Sequence, residues 1–219
     1  LEFKNICLKE DNIDRLSNIN FSIEEGEKIA LIGASGAGKS TLISIANASL
    51  RATSGEVLWK GHERKSLTQR QKSKVGTIWQ DLRLVEELNV GQNIHIGSLA
   101  QRSLIWTIRN LLGIVDNSKV ISCLEATGLS QNMLKTNVQN ISGGQRQRVA
   151  IARLFNQEPE LVLADEPLSN LDNKISEEIL NILLNTKHIR SIMIPNTILI
   201  SLHKIELLTK FTRVIGLKN

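Results

Sequence analysis

Lys28-Ile29-Ala30-Leu31-Ile32-Gly33 runs directly into Ala34-Ser35-Gly36-Ala37-Gly38-Lys39-Ser40-Thr41 and then Leu42. The first part is a short apolar run closed by glycine, the pattern of a strand buried on both faces. From Gly33 the sequence matches G-x-x-x-x-G-K-[ST], a loop whose small residues let successive backbone N–H groups turn onto phosphate oxygens. Apolar residues then recur at helical intervals from Leu42 to Leu50, so the loop opens a helix whose N-terminus adds partial positive charge. Lys39 supplies a full charge able to bridge β- and γ-phosphates. Ser40, backed by Thr41, supplies a hydroxyl ligand for Mg²⁺. Strand, loop and helix in this order predict an α/β nucleotide-binding core of the phosphate-loop class, and alone they specify only a nucleoside triphosphate.

Outward from this loop, Ile19 to Ile23 alternates apolar and polar before a Glu25-Gly26 turn, and Thr53-Ser54-Gly55 turns the chain into the short strand Glu56 to Trp59. Val75 to Trp79 reads as another strand. From about Val85 to Gln139 the pattern becomes helical, as in Arg102 to Leu112 and Val120 to Ala126, punctuated by Gly113, Asn117 and Gly128. Strands return at Leu161 to Ala164, Ile198 to Ser201 and Arg213 to Leu217, with helices expected near 143–156 and 174–187. Alternating strands and helices predict a mostly parallel sheet, interrupted by an inserted helical lobe.

Two further stretches carry chemistry. Leu161-Val162-Leu163-Ala164-Asp165-Glu166-Pro167 is an apolar strand ending in two carboxylates, at the strand end where ligands of parallel sheets bind. Asp165 is placed to hold Mg²⁺, and Glu166, one residue on, to orient and polarise an attacking water. In Ile141-Ser142-Gly143-Gly144-Gln145-Arg146-Gln147-Arg148, Ser142 can cap the helix that follows. The two glycines cost backbone entropy that a simple cap does not require, and exposing amides to a second phosphate explains them.

Composition sets the bounds. The chain has 219 residues, is 41% hydrophobic and carries a formal charge of +5, an ordinary globular balance that excludes a disordered or collagen-like chain. Cys7 and Cys123 have no metal-type spacing and are too few for a disulfide framework, which points to a reducing compartment. No run reaches the roughly 18 apolar residues of a membrane span. The most apolar late stretch, Ile192 to Ile200, is broken by Pro195, Asn196 and Thr197. Leu1-Glu2-Phe3-Lys4 lacks the regions of a signal peptide, and the missing Met suggests a trimmed chain. Trp59, Trp79 and Trp106 are dispersed, as packing residues are.

Taken together, GASGAGKST, then Ser142-Gly143-Gly144-Gln145, then LVLADEP resemble the nucleotide-binding subunit of an ATP-binding cassette (ABC) transporter over nearly the whole chain. The resemblance implies one cassette over 1–219. Its core would be 1–84 and 157–219, including an N-terminal antiparallel β subdomain, and its helical subdomain about 85–156. It implies a head-to-tail homodimer that sandwiches two ATP molecules, each between the phosphate loop of one subunit and Ser142-Gly143-Gly144-Gln145 of the other. Gln80 matches the family's glutamine loop, contacting Mg²⁺ and the attacking water. Asp172, in Ser169-Asn170-Leu171-Asp172, matches the residue that reaches across the dimer, and His203 the switch histidine at the γ-phosphate. The cofactors implied are ATP and Mg²⁺.

The chain departs from the family near Glu10 or Asp11, where an aromatic residue usually stacks on adenine, and it contains no Tyr. A base–aromatic stack is worth roughly 1–3 kcal/mol, so weaker ATP binding is expected of the free subunit. The end at Gly216-Leu217-Lys218-Asn219 resembles a minimal or truncated subunit. A separate subunit, with no fused membrane helices, coiled-coil insertion or second cassette, implies work at the cytoplasmic face of a membrane. Its partners would be permease subunits and a periplasmic or extracellular substrate-binding protein, with no nucleic acid.

Three stretches are similar to phosphonate-importer ATPases: Trp79 to Val90; Ile96-Gly97-Ser98-Leu99 with Trp106 and Leu111-Leu112-Gly113; and Ile200 to Leu207 continuing to Arg213–Leu217. Phosphonate or phosphite import is therefore the preferred reading. A lipoprotein-release or cell-division ABC ATPase is the alternative, and a DNA-associated one rests only on the basic charge.

Overall fold

The computed structural model describes residues 1–10, 13–114, 116–169, 171–184 and 195–218. In chain order the main elements are β1 (Glu2–Glu10), β2 (Ile13–Ser22), β3 (Lys28–Gly33), α1 (Lys39–Asn47), β4 (Ser54–Trp59), β5 (His62–Glu63), α2 (Gln69–Lys72) and β6 (Val75–Ile78). They continue with α3 (Val90–Ile96), α4 (Leu104–Leu111), α5 (Ser118–Ala126), α6 (Gly143–Gln157), β7 (Leu161–Ala164), α7 (Asn173–Leu184), β8 (Thr197–Ser201) and β9 (Arg213–Leu217). The chain divides into two compact units, Leu1–Thr77 with Glu160–Pro167 and Asn196–Asn219, and Ile78–Pro159 with Leu168–Pro195.

The first unit holds an antiparallel sheet ordered β2-β1-β4-β5 and a sheet ordered β6-β7-β8-β3-β9. In the second sheet, β7–β8, β8–β3 and β3–β9 are parallel, with Ala164 opposite Ile200 and Leu31 opposite Ser201. Strands buried on both faces need apolar side chains throughout. Ile29, Ala30, Leu31, Leu161, Val162, Leu163, Ala164, Leu199 and Ile200 all have no accessible surface. Each of the larger ones gains about 1.5–3 kcal/mol from burial.

The sequence reading understates β2, which begins at Ile13, and misses β1 altogether. Bulges at Phe3, Ile6 and Leu8 break the even alternation that reveals a strand. The first helix also differs from its expected span of Leu42 to Leu50. It covers Lys39–Asn47 and ends where Ala48 turns left-handed (φ 67°), donating its amide to Ile45 O at 3.0 Å.

In the second unit, α3, α5, α6 and α7 pack their apolar faces together, burying Ile94, Val120, Leu124, Ile151, Phe155 and Ile179 completely. Gly97 permits the closest approach: a Cβ there would lie 2.0 Å from Arg153 O of α6. α7 packs on α6, and Glu178 pairs with Arg148 at 2.6 Å. Residues 185–187 of the expected last helix, and 192–194 of the interrupted apolar stretch, lie outside the described residues.

Candidate active site

β3 delivers Gly33 to the start of the phosphate loop. Gly38 then enters α1 in the left-handed region, at φ +89°, and a Cβ there would sit 2.7 Å from Leu16 Cδ2 and 3.0 Å from Arg15 O. Glycine is required at that position for both reasons. Ala34, Ser35 and Gly36 are exposed, and the Ala37 amide donates back to Ala34 O at 3.1 Å. No side chain caps α1, so the orphan amides of its first turn lack the usual side-chain acceptor. Lys39 is buried beneath the loop. Its Nζ donates to Gly33 O at 2.9 Å and Ala34 O at 3.1 Å, and lies 3.9 Å from Glu166 Oε1. The result is a fixed cation beside a helix start whose first amides lack a side-chain acceptor, which suits a polyanion.

The parallel register of β7 and β8 sets Ser201 beside the two acidic residues at the end of β7. Asp165 is buried, and its Oδ1 accepts from Ser40 Oγ at 3.0 Å and from Ser201 Oγ at 2.9 Å. Glu166 takes a left-handed backbone (φ 45°), costly for a residue with a Cβ. Its amide donates to Ser201 Oγ at 2.7 Å, while its Oε1 is 2.5 Å from His203 Nε2. Ser201 therefore pins both acidic residues from a fully buried position, and the sequence reading passed over it. The available signal was its place, at the C-terminal end of a buried strand two residues before His203. Ser40 Oγ and Asp165 Oδ1 form the adjacent pair of oxygen donors that a hard cation prefers.

Lys39, Ser40, Asp165, Glu166 and His203 thus meet within the first unit, while Gln80, Ser142, Gly143, Gly144, Gln145 and Asp172 belong to the second. Gln80 is exposed in the turn after β6. Just beyond it, Leu82 and Arg83 both have positive φ (59° and 46°). Arg153 of α6 holds that turn, donating to Leu82 O at 2.5 Å and Arg83 O at 2.6 Å. Ser142 caps α6: its Oγ accepts from the Gln145 amide at 3.3 Å, and Gln145 Oε1 accepts from the Ser142 amide at 3.0 Å. Gly143 is exposed, and Ile175 of α7 would lie 3.7 Å from a Cβ at Gly144. Asp172 caps α7 through the Ile175 amide at 2.8 Å. Arg146 pairs with Glu86, holding that carboxyl below its usual range. The α6 start, the turn after Gln80 and the α7 start are thereby tied into one unit.

Glu10, at the expected adenine position, pairs with Ile13 across the hairpin and lies 3.4 Å from Arg15 Nε. Asp11, the other candidate, and Asn170 lie outside the described residues.

A phosphate loop on a buried parallel strand, with an Asp-Glu pair at the edge of the same sheet, defines a nucleoside triphosphatase of the phosphate-loop class. Comparison with known proteins narrows the class: the ABC transporter family profile matches residues 16–169. The chain belongs to the ABC transporter family, and is an ABC ATPase. It is similar to the phosphonates import ATP-binding protein PhnC of Treponema denticola, 37% identical over all of this chain and 86% of that protein. The PhnC protein of Fusobacterium nucleatum is 34% identical, again over all of this chain and over 89% of the relative. Among solved structures, the dimeric bacterial ABC transporter cassette MJ0796 superposes with a TM-score of 0.82 at 28% identity, covering 99% of this chain and 94% of that one. The same cassette in a post-hydrolysis state bound to ADP and Pi gives 0.79 at 29% identity, with the same coverage.

Proposed function

We propose that this chain is the ATPase subunit of an importer for phosphonate or phosphite. It would work as one cassette over 1–219, with 1–84 and 157–219 as the core and about 85–156 as the helical subdomain. The observation that carries the catalytic reading is the convergence of Lys39, Ser40, Asp165, Glu166 and His203 at one sheet edge. Similarity to two PhnC proteins over the full chain supports the substrate class.

The amides of Gly33 to Thr41 and the Lys39 ammonium bind the β- and γ-phosphates of ATP. The oxygen donors of Ser40, Asp165 and Gln80 suit Mg²⁺, which when bound would neutralise phosphate charge. Ser142, Gly143, Gly144 and Gln145 of a second copy close over the γ-phosphate, and Asp172 reaches across the same homodimer. Glu166, held by Ser201 and His203, polarises the water that attacks in line, a contribution of about 10²–10⁴-fold. Lys39 and His203 stabilise the charge that develops on the γ-phosphate. The exposed stretch around Gln80 receives a cytoplasmic helix of the permease, placing the subunit at the cytoplasmic face of the membrane. A substrate-binding protein outside the membrane completes the system.

The test is uptake of labelled phosphonate and phosphite in cells lacking this gene. Wild type should restore uptake, whereas Lys39→Ala should not. Unchanged uptake in the deletion, with no second system present, would discard the substrate class and leave the ATPase standing.

A further inference from the structure

Helix α4 is turned inside out. Asn110 is its buried side chain, and Trp106 packs edge-on against buried His95 with ring centroids 5.3 Å apart. Leu104, Ile105, Ile108 and Leu111, with Leu112 and Ile114 just beyond, are instead exposed. These are six of the eleven exposed large hydrophobic side chains among the described residues, so the apolar surface is concentrated at one place. At 3.6 residues per turn, positions 104, 105, 108, 111 and 112 fall within an arc of about 120°. Single exposed apolar residues need no explanation, but a contiguous patch marks an interaction surface.

The face is held in this orientation. Ser103 Oγ accepts from the Trp106 amide at 3.3 Å, and Gln92 Nε2 of α3 donates to Leu111 O at 3.0 Å. Charge within the helix and its approach has one sign, with the exposed Asp116 lying just beyond the patch. From Leu88 to Ile114 the sequence contains no Asp or Glu, while Arg102 and Arg109 are exposed beside the patch. Arg102 also lies over the Trp106 ring, 5.1 Å from its centroid. A second copy docked on the same face would set these arginines against each other with no carboxylate in the stretch to pair them. An apolar stripe flanked by arginines is complementary to acyl chains beneath anionic headgroups.

We propose that α4 is an interfacial helix that seats this subunit directly on an anionic lipid surface. Leu104, Ile105, Ile108, Leu111 and Leu112 enter the headgroup–acyl boundary, and Arg102 and Arg109 pair with lipid phosphates. This contact is separate from docking on a permease, and gives the subunit a membrane attachment of its own.

Co-sedimentation of the full chain with vesicles tests it, using phosphatidylcholine alone and phosphatidylcholine with phosphatidylglycerol. Binding is expected to the phosphatidylglycerol vesicles without any permease. It should weaken on the order of tenfold in Ile105→Ser/Ile108→Ser, and by a similar factor in Arg102→Gln/Arg109→Gln. Both variants should bind a fluorescent ATP analogue like wild type, which shows that they fold. Three results would overturn the proposal: no binding to either vesicle, undiminished binding by the variants, or binding only to vesicles that contain permease. Self-association that disappears in Ile105→Ser/Ile108→Ser, with no lipid binding, would assign the face to a second copy instead.

Discussion

Two helices of this chain have glycines at their starts, and they are finished differently. α1 begins at Gly38 with no side-chain cap, above a buried Lys39 whose ammonium is shared between two loop carbonyls. α6 begins at Ser142 with a complete capping box, its first glycine exposed. The first start gathers Lys39, Ser40, Asp165, Glu166 and His203 around itself, beyond the ends of β3, β7 and β8. The second satisfies its own terminus through Ser142 and Gln145. The contrast teaches that α1 leaves its first amides without a side-chain acceptor, while α6 satisfies its start with its own side chains.

The strongest test of that contrast removes the carboxylate of Glu166, the proposed base, from the first site. Glu166→Gln should lower ATP turnover by about 10²–10⁴-fold while keeping nucleotide bound, read by steady-state hydrolysis and analogue titration. It should also accumulate an ATP-bound dimer on size exclusion. Turnover at the wild-type rate would remove Glu166 from the reaction.

Ser201→Ala should have a smaller effect. It leaves the Glu166 amide without its partner and Asp165 Oδ1 with Ser40 alone, a loss of about 1–3 kcal/mol. Because Ser201 acts only through those carboxylates, kcat should fall more than KM rises. A uniform loss of stability with unchanged kcat would reduce it to a packing residue.

At the second start, Ser142→Ala should cost about 1 kcal/mol of stability in the absence of nucleotide, measured by urea denaturation. Adding ATP analogue should raise the midpoint of both variant and wild type through α1. A cost of nothing at Ser142 would mean that the cap is idle and the contrast overstated.

The smallest effect concerns acid. Burial lowers the pKa of His95 below its usual 6.5 and Arg102 adds to this, while the bond to Asn117 and the charge of Asp116 oppose it. The unfolded chain therefore binds this proton more readily than the folded one. Stability from His95 is complete above about pH 6.5 and is lost as pH falls through that value toward the lower folded pKa. Between about pH 7.5 and pH 5.5, amides of α3 and α4 should lose exchange protection while α1 keeps its own, and His95→Gln should abolish the difference.

The sequence made the first region legible, because its chemistry is contiguous. GASGAGKST and LADEP each combine a buried strand with the residues at its end, so strand, loop and charge can be read together. Ser201 was hidden because its partners are set by the β7–β8 register, and its place at the end of a buried strand was the one local signal. In the second region Ser142 as a cap was readable from its spacing to Gln145. Arg153 holding the turn at Leu82 and Arg83 was not, since it joins positions far apart in sequence. β1 escaped notice through its bulges. The apolar residues of α4 read as an ordinary helix face, and only the buried Asn110 shows that the face points outward.

The proposed account stands or falls on whether a phosphate loop is completed by another copy's Ser142 or by its own. Two differently tagged mixed dimers decide it by ATP turnover. One pairs a Lys39→Ala subunit with a Ser142→Arg subunit; the other pairs a subunit carrying both substitutions with wild type. Completion in trans leaves one whole site in the first dimer and none in the second, so the first should be the more active. Higher activity in the second would place each site within a single chain and contradict the account.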